Sequence, residues 1–192
     1  MPTRLQPFVA GEYYHVFNRG VERRQIFLED RHYLWFTAML WKRLAKHPVS
    51  LVAYCLMPNH FHLLVQVNED GSLSAFMQAL CSAYSQWLNH QLGRVGPLFA
   101  GRFQVRHIET EAHFLQTARY IHRNPKEADL VDNLLDWTYS DYPAILGIRI
   151  LPANDAALVP ARFATPDEYK AFVEGEPDFR EVHVADFPEV RS

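Results

Sequence analysis

Residues 49–67 read VSLVAYCLMPNHFHLLVQV, two runs of β-forming residues on either side of the short turn MPN at 57–59. Strands joined this tightly pair antiparallel with each other, so any sheet the chain builds must contain this hairpin. The second run also assigns its own faces. Successive side chains of a strand alternate sides. Phe61, Leu63, Val65 and Val67 therefore make a continuous apolar face, while His60, His62, Leu64 and Gln66 point the other way. One side is suited to a core. The other projects two imidazoles in parallel from a rigid element, as a bidentate ligand pair requires. An H-x-H pair also occurs on half-exposed strands that bind nothing; here the turn sets the pair at a mouth that a substrate can approach.

The rest of the chain supplies the partners of that hairpin. EYYHVF (12–17) is a strand ended by the turn residues Asn18-Arg19-Gly20. From Asp30 to Lys46 the apolar positions recur at helical spacing, with Asp30 as N-cap and His47-Pro48 as the stop. Ser72 or Ser74 can cap a second helix running to about Gly93, RFQVRHI (102–108) is a fourth strand, and a helix from Glu111 to Asn124 is closed from outside by Pro125. The order β-α-β-β-α-β-α predicts an α+β fold: a ferredoxin-like, split β-α-β antiparallel sheet with helices packed on one face. WTYSDYPAILG (137–147) reads as an ordered connection. Residues 1–147 thus form one domain, and 148–192, broken by repeated prolines, an irregular C-terminal tail that wraps or frays.

A net charge of −3 is unfavourable at first sight for a nucleic-acid partner. Its distribution removes the objection, because from Leu151 onward nine acidic and four basic residues leave the tail at −5 and the remainder at +2. With 48% apolar and 21% charged residues the chain reads as globular and soluble. It shows neither a leader-like N-terminus nor eighteen consecutive apolar residues, so a cytoplasmic protein without membrane attachment is expected. Cys55 and Cys81 lie in apolar stretches without C-x-x-C spacing and read as reduced thiols, a disulfide being the alternative.

The stretch EAHFLQTARYIHRNP adds a candidate nucleophile. Phe114, Leu115, Ala118 and Ile121 form the apolar side of its helix, and His113, Gln116, Tyr120, Arg123, Asn124 and Glu127 step along the opposite side. A tyrosine among polar neighbours has work other than filling a core, although one with its hydroxyl in water would show the same pattern. Asn124 lies one turn beyond Tyr120, so phenol and amide can address one point. Of other H-x-H chemistries, a histidine-triad hydrolase needs a third histidine where Leu64 stands, and barrel metallohydrolases need more strand–helix units than 192 residues hold.

MPNHFHLLV followed by YIHRNPKEADLV closely resembles the REP-associated tyrosine transposases, single-tyrosine HUH endonucleases related to the transposases of small bacterial insertion sequences. YHVFNRGVERRQIF, GPLFAGRFQVR and WTYSDYPAILG resemble that family's other recurring stretches, in the same order, over roughly residues 10 to 147. The resemblance implies that His60, His62 and Asn124 hold a metal ion and that Tyr120 is the nucleophile. It also implies Mg²⁺ or Mn²⁺, where ligand softness alone would lean toward zinc.

The activity so implied is a metal-dependent cut in single-stranded, hairpin-flanked DNA through a 5′-phosphotyrosine, with rejoining of strands in transposition. His113, His122, water or the field of the metal could relieve the phenol of its proton, whose pKa is ordinarily about 10. Candidate DNA contacts are Arg19, Arg23, Arg24, Arg94, Arg102 and Arg106, with Phe99 and Phe103 for base stacking. A monomer is favoured over a dimer. Two other readings stay open: a non-catalytic hairpin DNA- or RNA-binding protein, and a phosphodiesterase that activates water.

Overall fold

A computed structural model describes residues 8–150 and 159–175. Its centre is a four-stranded antiparallel sheet in the order β2-β3-β1-β4, made of β1 (Tyr13–Arg19), β2 (Val49–Met57), β3 (His60–Val67) and β4 (Gln104–Ile108). Strand β3 lies between β1 and β2, and β1 between β3 and β4, which is the expected pair of interlocked split β-α-β units.

Helices α1 (Asp30–Leu44) and α2 (Ser72–Gln91) cover one face, burying Phe36, Leu40, Phe76, Leu80 and Tyr84 against Phe61, Leu63 and Val65. Helix α3 (Glu111–Glu127) crosses the opposite face, where Phe114, Ala118 and Ile121 meet Val52, Ala53 and Leu64. The one-face arrangement thus describes α1 and α2, while the histidine face has its own helix. A slip of register between Leu51 and Ala53 turns Val52 and Ala53 together toward α3, as expected of a bulge.

The hairpin turn is pinned from outside the sheet. Pro58 O accepts from Ile26 N (2.8 Å) and Phe27 N (2.9 Å), and Asn59 O from Gly20 N (2.8 Å). Gly20 is required there, because a Cβ would fall 2.1 Å from Arg24 O. Residues 137–147 run along the free edge of β2: Leu56 N donates to Tyr139 O and the Trp137 indole to Leu56 O. The exposed sheet edge is thereby covered.

Three local expectations change. Helix α1 is capped by Glu29, whose carboxylate and His32 form a reciprocal capping box, while Asp30 accepts from the Tyr139 hydroxyl at 2.6 Å. The N-cap of α2 is Gly71 at φ 77°, a backbone state serine enters poorly. Helix α3 continues through Pro125 to Glu127. A missing N–H costs one hydrogen bond, and in the last turn the carbonyls of Asn124 and Pro125 still find Ala128 N and Leu130 N. Cys55 and Cys81 are both free thiols.

Part of the stretch assigned to the tail packs on α3. Val159, Tyr169 and Val173 are buried with Ile121 and Tyr142, and α5 (Pro166–Glu174), which comes after the short α4 (Tyr142–Ile145), packs against α3. Arg119 donates to Phe172 O and Gly175 O, and Arg123 to Val173 O and Gly175 O, so two arginines of α3 satisfy the carbonyl end of α5. The expected fraying or wrapping of 151–158 and 176–192, and the first seven residues, lie outside the described residues. Among the described residues no helix is long and apolar enough to cross a membrane.

Candidate metal and nucleophile site

Antiparallel register decides which side chains share the α3 side of the sheet. Arg19 stands opposite His60, Phe17 opposite His62 and His15 opposite Leu64; on the far side of β1, His15 faces Arg106 and Phe17 faces Gln104. Paired residues point the same way. The result is a strip running from the two predicted histidines across β1 to exposed Gln104 and Arg106.

His60 and His62 sit with ring centroids 4.9 Å apart and planes nearly perpendicular. Both rings are oriented from behind. His60 Nδ1 meets Asn59 Oδ1 at 2.5 Å, and His62 Nδ1 meets His15 Nε2 at 2.9 Å. Helix α3 delivers the rest: Asn124 Oδ1 lies 3.3 Å from His60 Nε2, and the Tyr120 ring is 5.3 Å from His62 and 5.9 Å from His15. Imidazoles, carboxamide and phenol meet within one chain.

The donor set suits a cation. An amide oxygen only accepts, so Asn59 Oδ1 takes the proton of His60 Nδ1 and leaves Nε2 a bare lone pair. That lone pair faces Asn124 Oδ1, another acceptor, whose orientation is set as the Asn124 amide donates back to Tyr120 O at 3.3 Å. His62 Nε2 is buried without a hydrogen-bond partner among the described residues. Lone pairs left uncompensated on adjoining groups are what a divalent ion would satisfy. Among the described residues no cluster of three His, Cys, Asp or Glu side chains forms such a site; here the third donor is a carboxamide.

Burial keeps the imidazoles neutral, which is the ligand form. It pushes His60 down to about 4 and His62 well below the usual histidine range, with the neighbouring His60 lowering His62 further. His15 falls to about 3 through burial first, then the charges of His113 and Arg106. Burial pushes the Tyr120 phenol above its ordinary value, against a hydrogen bond from Asn124 that favours the phenolate. Half-sealed against the sheet, this hydroxyl does not ionise unaided.

The remaining sequence-predicted residues divide. Arg19 and Arg106 lie on the strip, both exposed. Arg23 and Arg24 are exposed in the loop after β1, where Glu22 and Arg23 both take positive φ. Arg94 and Arg102 lie in the connection between α2 and β4, away from the histidines in sequence and off the paired strands. Phe99 is not open for stacking, being buried edge-to-face against Phe61 on the α1–α2 side. Phe103 is partly buried beside Phe8. His122 turns away from Tyr120: its Nε2 bonds Asp141 Oδ1 at 2.9 Å and its Nδ1 the Tyr169 hydroxyl at 2.7 Å, so neither nitrogen is available as a base. The polar side assigned to α3 is displaced likewise, since Asn124 is buried toward the sheet and Arg123 is taken up by α5.

Sequence reasoning missed His15 and Phe17. Their signal is the alternation Tyr13, His15, Phe17, Arg19 on a strand antiparallel to β3, legible once that pairing is assumed.

Two histidines on a central strand, with a tyrosine on the helix above them, form the arrangement that the resemblance to HUH transposases implies. The profile of the family described as IS200-like transposases matches residues 8–124, and the chain belongs to that family. A Haemophilus influenzae protein named as a REP-associated tyrosine transposase is 26% identical over 146 residues, 67% of this chain and 83% of that one. A solved REP-associated tyrosine transposase bound to a REP hairpin superposes with a TM-score of 0.65 at 19% identity, covering 81% of this chain and 93% of that chain. The last likeness shows a shared fold.

Proposed function

We propose that the protein is a metal-dependent endonuclease and strand transferase acting on single-stranded, hairpin-flanked DNA. Family membership supports the reaction class, and the relative solved with a REP hairpin supports the substrate. The observation that carries the reading is the convergence of Tyr120 on the ligand pair, with its ring 5.3 Å from His62.

His60, His62 and Asn124 would hold Mg²⁺ or Mn²⁺, which when bound supplies Lewis acidity to a non-bridging phosphate oxygen. The chain does the rest. The Tyr120 oxygen attacks phosphorus, the bond from phosphorus to the 3′ oxygen breaks, and the products are a 5′-phosphotyrosine and a free 3′-hydroxyl. The phenolic proton leaves to water or to His113 on the first turn of α3. One ester replaces another, so a 3′-hydroxyl reverses the step and joins strands without a nucleotide cofactor. Arg19 and Arg106 neutralise backbone phosphates along the strip, and Phe17, half-exposed beside His62, offers a ring to a base. Because the proposed ligands and nucleophile meet within one chain, a monomer would suffice.

A labelled single strand carrying the foot of a hairpin, incubated with the protein and Mn²⁺, should yield a covalent adduct. Tyr120→Phe should lower adduct formation at least about 10³-fold while still binding the strand. Normal cleavage by that variant would remove Tyr120 as nucleophile. Cleavage without an adduct in the unaltered protein would make water the attacking group.

A further inference from the structure

His15 is buried at the middle of β1, and nothing in the chemistry above uses it. Its Nε2 lies 2.9 Å from His62 Nδ1, and its ring stands at the edge of Tyr120. Two neutral imidazoles in contact share one proton, so the bond can be drawn in two ways. If His15 donates, the His62 proton sits on Nε2, where a buried N–H would have no acceptor at all. If His62 donates, its Nε2 carries only a lone pair, in a ring whose centroid is 4.9 Å from that of His60. An orphaned buried donor is the rarer and costlier defect, and the second arrangement avoids it. His60 independently shows the same pattern, its Nδ1–H being taken by Asn59 Oδ1. Each ligand histidine thus has an acceptor behind it that selects the tautomer with Nε2 bare.

We propose that His15 is the positioning residue of the metal site: it accepts the Nδ1–H of His62, carries its own proton on Nδ1, and thereby aims His62 Nε2 at the cation. The inference rests on the metal-site reading given above. It adds a specific character to that site. Metal-bound histidines commonly donate to a carboxylate, which raises ligand basicity. A neutral imidazole as acceptor leaves His62 a weaker base, appropriate to a labile hard cation and unsuited to permanent retention of zinc.

The test has one measurement on the unaltered protein and one on variants. Long-range ¹H–¹⁵N spectra of the metal-free protein should show His62 protonated at Nδ1 and bare at Nε2, and His15 protonated at Nδ1. A His62 proton on Nε2 would overturn the proposal, whatever the variants do. Mn²⁺ affinity, followed by calorimetry, should fall about 10–100-fold in His15→Phe, which keeps a flat, somewhat larger ring and lacks an acceptor. His15→Gln, whose amide oxygen can accept, should recover to within about threefold of the unaltered protein. Unchanged affinity in His15→Phe, or a His15→Gln as weak as His15→Phe, would equally overturn it. Failure of the metal-site reading is distinguishable: the unaltered protein would then bind Mn²⁺ no better than His60→Ala, and the role of His15 would fall with it.

Discussion

Two histidine clusters flank helix α3, and they are built from similar parts. On the sheet side, His15, His62, His60 and Asn124 meet below Tyr120; on the other, His122 joins Asp141 and Tyr169. Each contains a buried imidazole with a partner at 2.9 Å. Judged by composition, the His122 cluster is the better candidate for catalysis, since Asp, His and Tyr are the parts of an acid–base relay. The difference lies in what is left over. His122 has both nitrogens occupied; Asp141 Oδ1 is shared by His122 and Tyr54 N (2.8 Å), and only its second oxygen, Oδ2, is left buried without a partner among the described residues. His62 keeps Nε2 without a partner, beside a phenol that remains part-exposed. A histidine whose valences are spent holds elements together. One that keeps a buried lone pair close to a second such imidazole is set up for a ligand.

This contrast predicts opposite phenotypes. His62→Ala should lower adduct formation at least about 10³-fold, together with loss of Mn²⁺ binding, while urea unfolding shifts less than in Asp141→Ala, because only the volume of one neutral ring and its bond to His15 are lost. A large drop in stability with retained cleavage would reverse the assignment of the two clusters. Asp141→Ala should do the converse. It strands His122 Nε2 and the Tyr54 amide in a sealed site, costing about 3–5 kcal/mol, read as a lower urea midpoint. Folded Asp141→Ala protein should bind Mn²⁺ as before; weakened binding would mean that the two clusters are coupled through α3. Tyr169→Phe removes only the hydroxyl that meets His122 Nδ1 and should cost about 1–2 kcal/mol. No measurable loss would show that α5 is held by its apolar contacts and the arginines alone.

The sequence carried the sheet-side cluster better than the other, for a physical reason. Period-two alternation placed His60 and His62 on one face, and the 3.6-residue repeat placed Asn124 one turn from Tyr120; both are local geometry. His15 needed the strand register, which no local pattern contains. His122 as a base was avoidable, because residues two apart on a helix lie on nearly opposite sides, and Tyr120 and His122 are two apart. What could not be read was where His122 points instead, since Asp141 and Tyr169 are 19 and 47 residues away. Phe99 failed in a similar way: an aromatic in a Gly-rich loop suits a stacking platform, and only the packing of Phe61 shows it to be core. Arg123 read as solvated because the helix it caps lies some fifty residues downstream.

One arginine beside each cluster gives the smallest expected effect and the most direct separation. Arg106 is exposed on the sheet strip opposite His15, whereas Arg123 donates to the carbonyls of α5 and pairs with Glu127 at 2.8 Å. If DNA runs along the strip, Arg106 displaces one counterion from its backbone and Arg123 none. Arg106→Ala should then weaken hairpin binding a few-fold and reduce the slope of log affinity against log salt by about 1, while Arg123→Ala leaves that slope unchanged. Equal slopes for all three proteins would take Arg106 out of the interface and move the strand's path off β4. A reduced slope for Arg123→Ala alone would place the DNA on the α5 side of α3, where both nitrogens of His122 are already bonded.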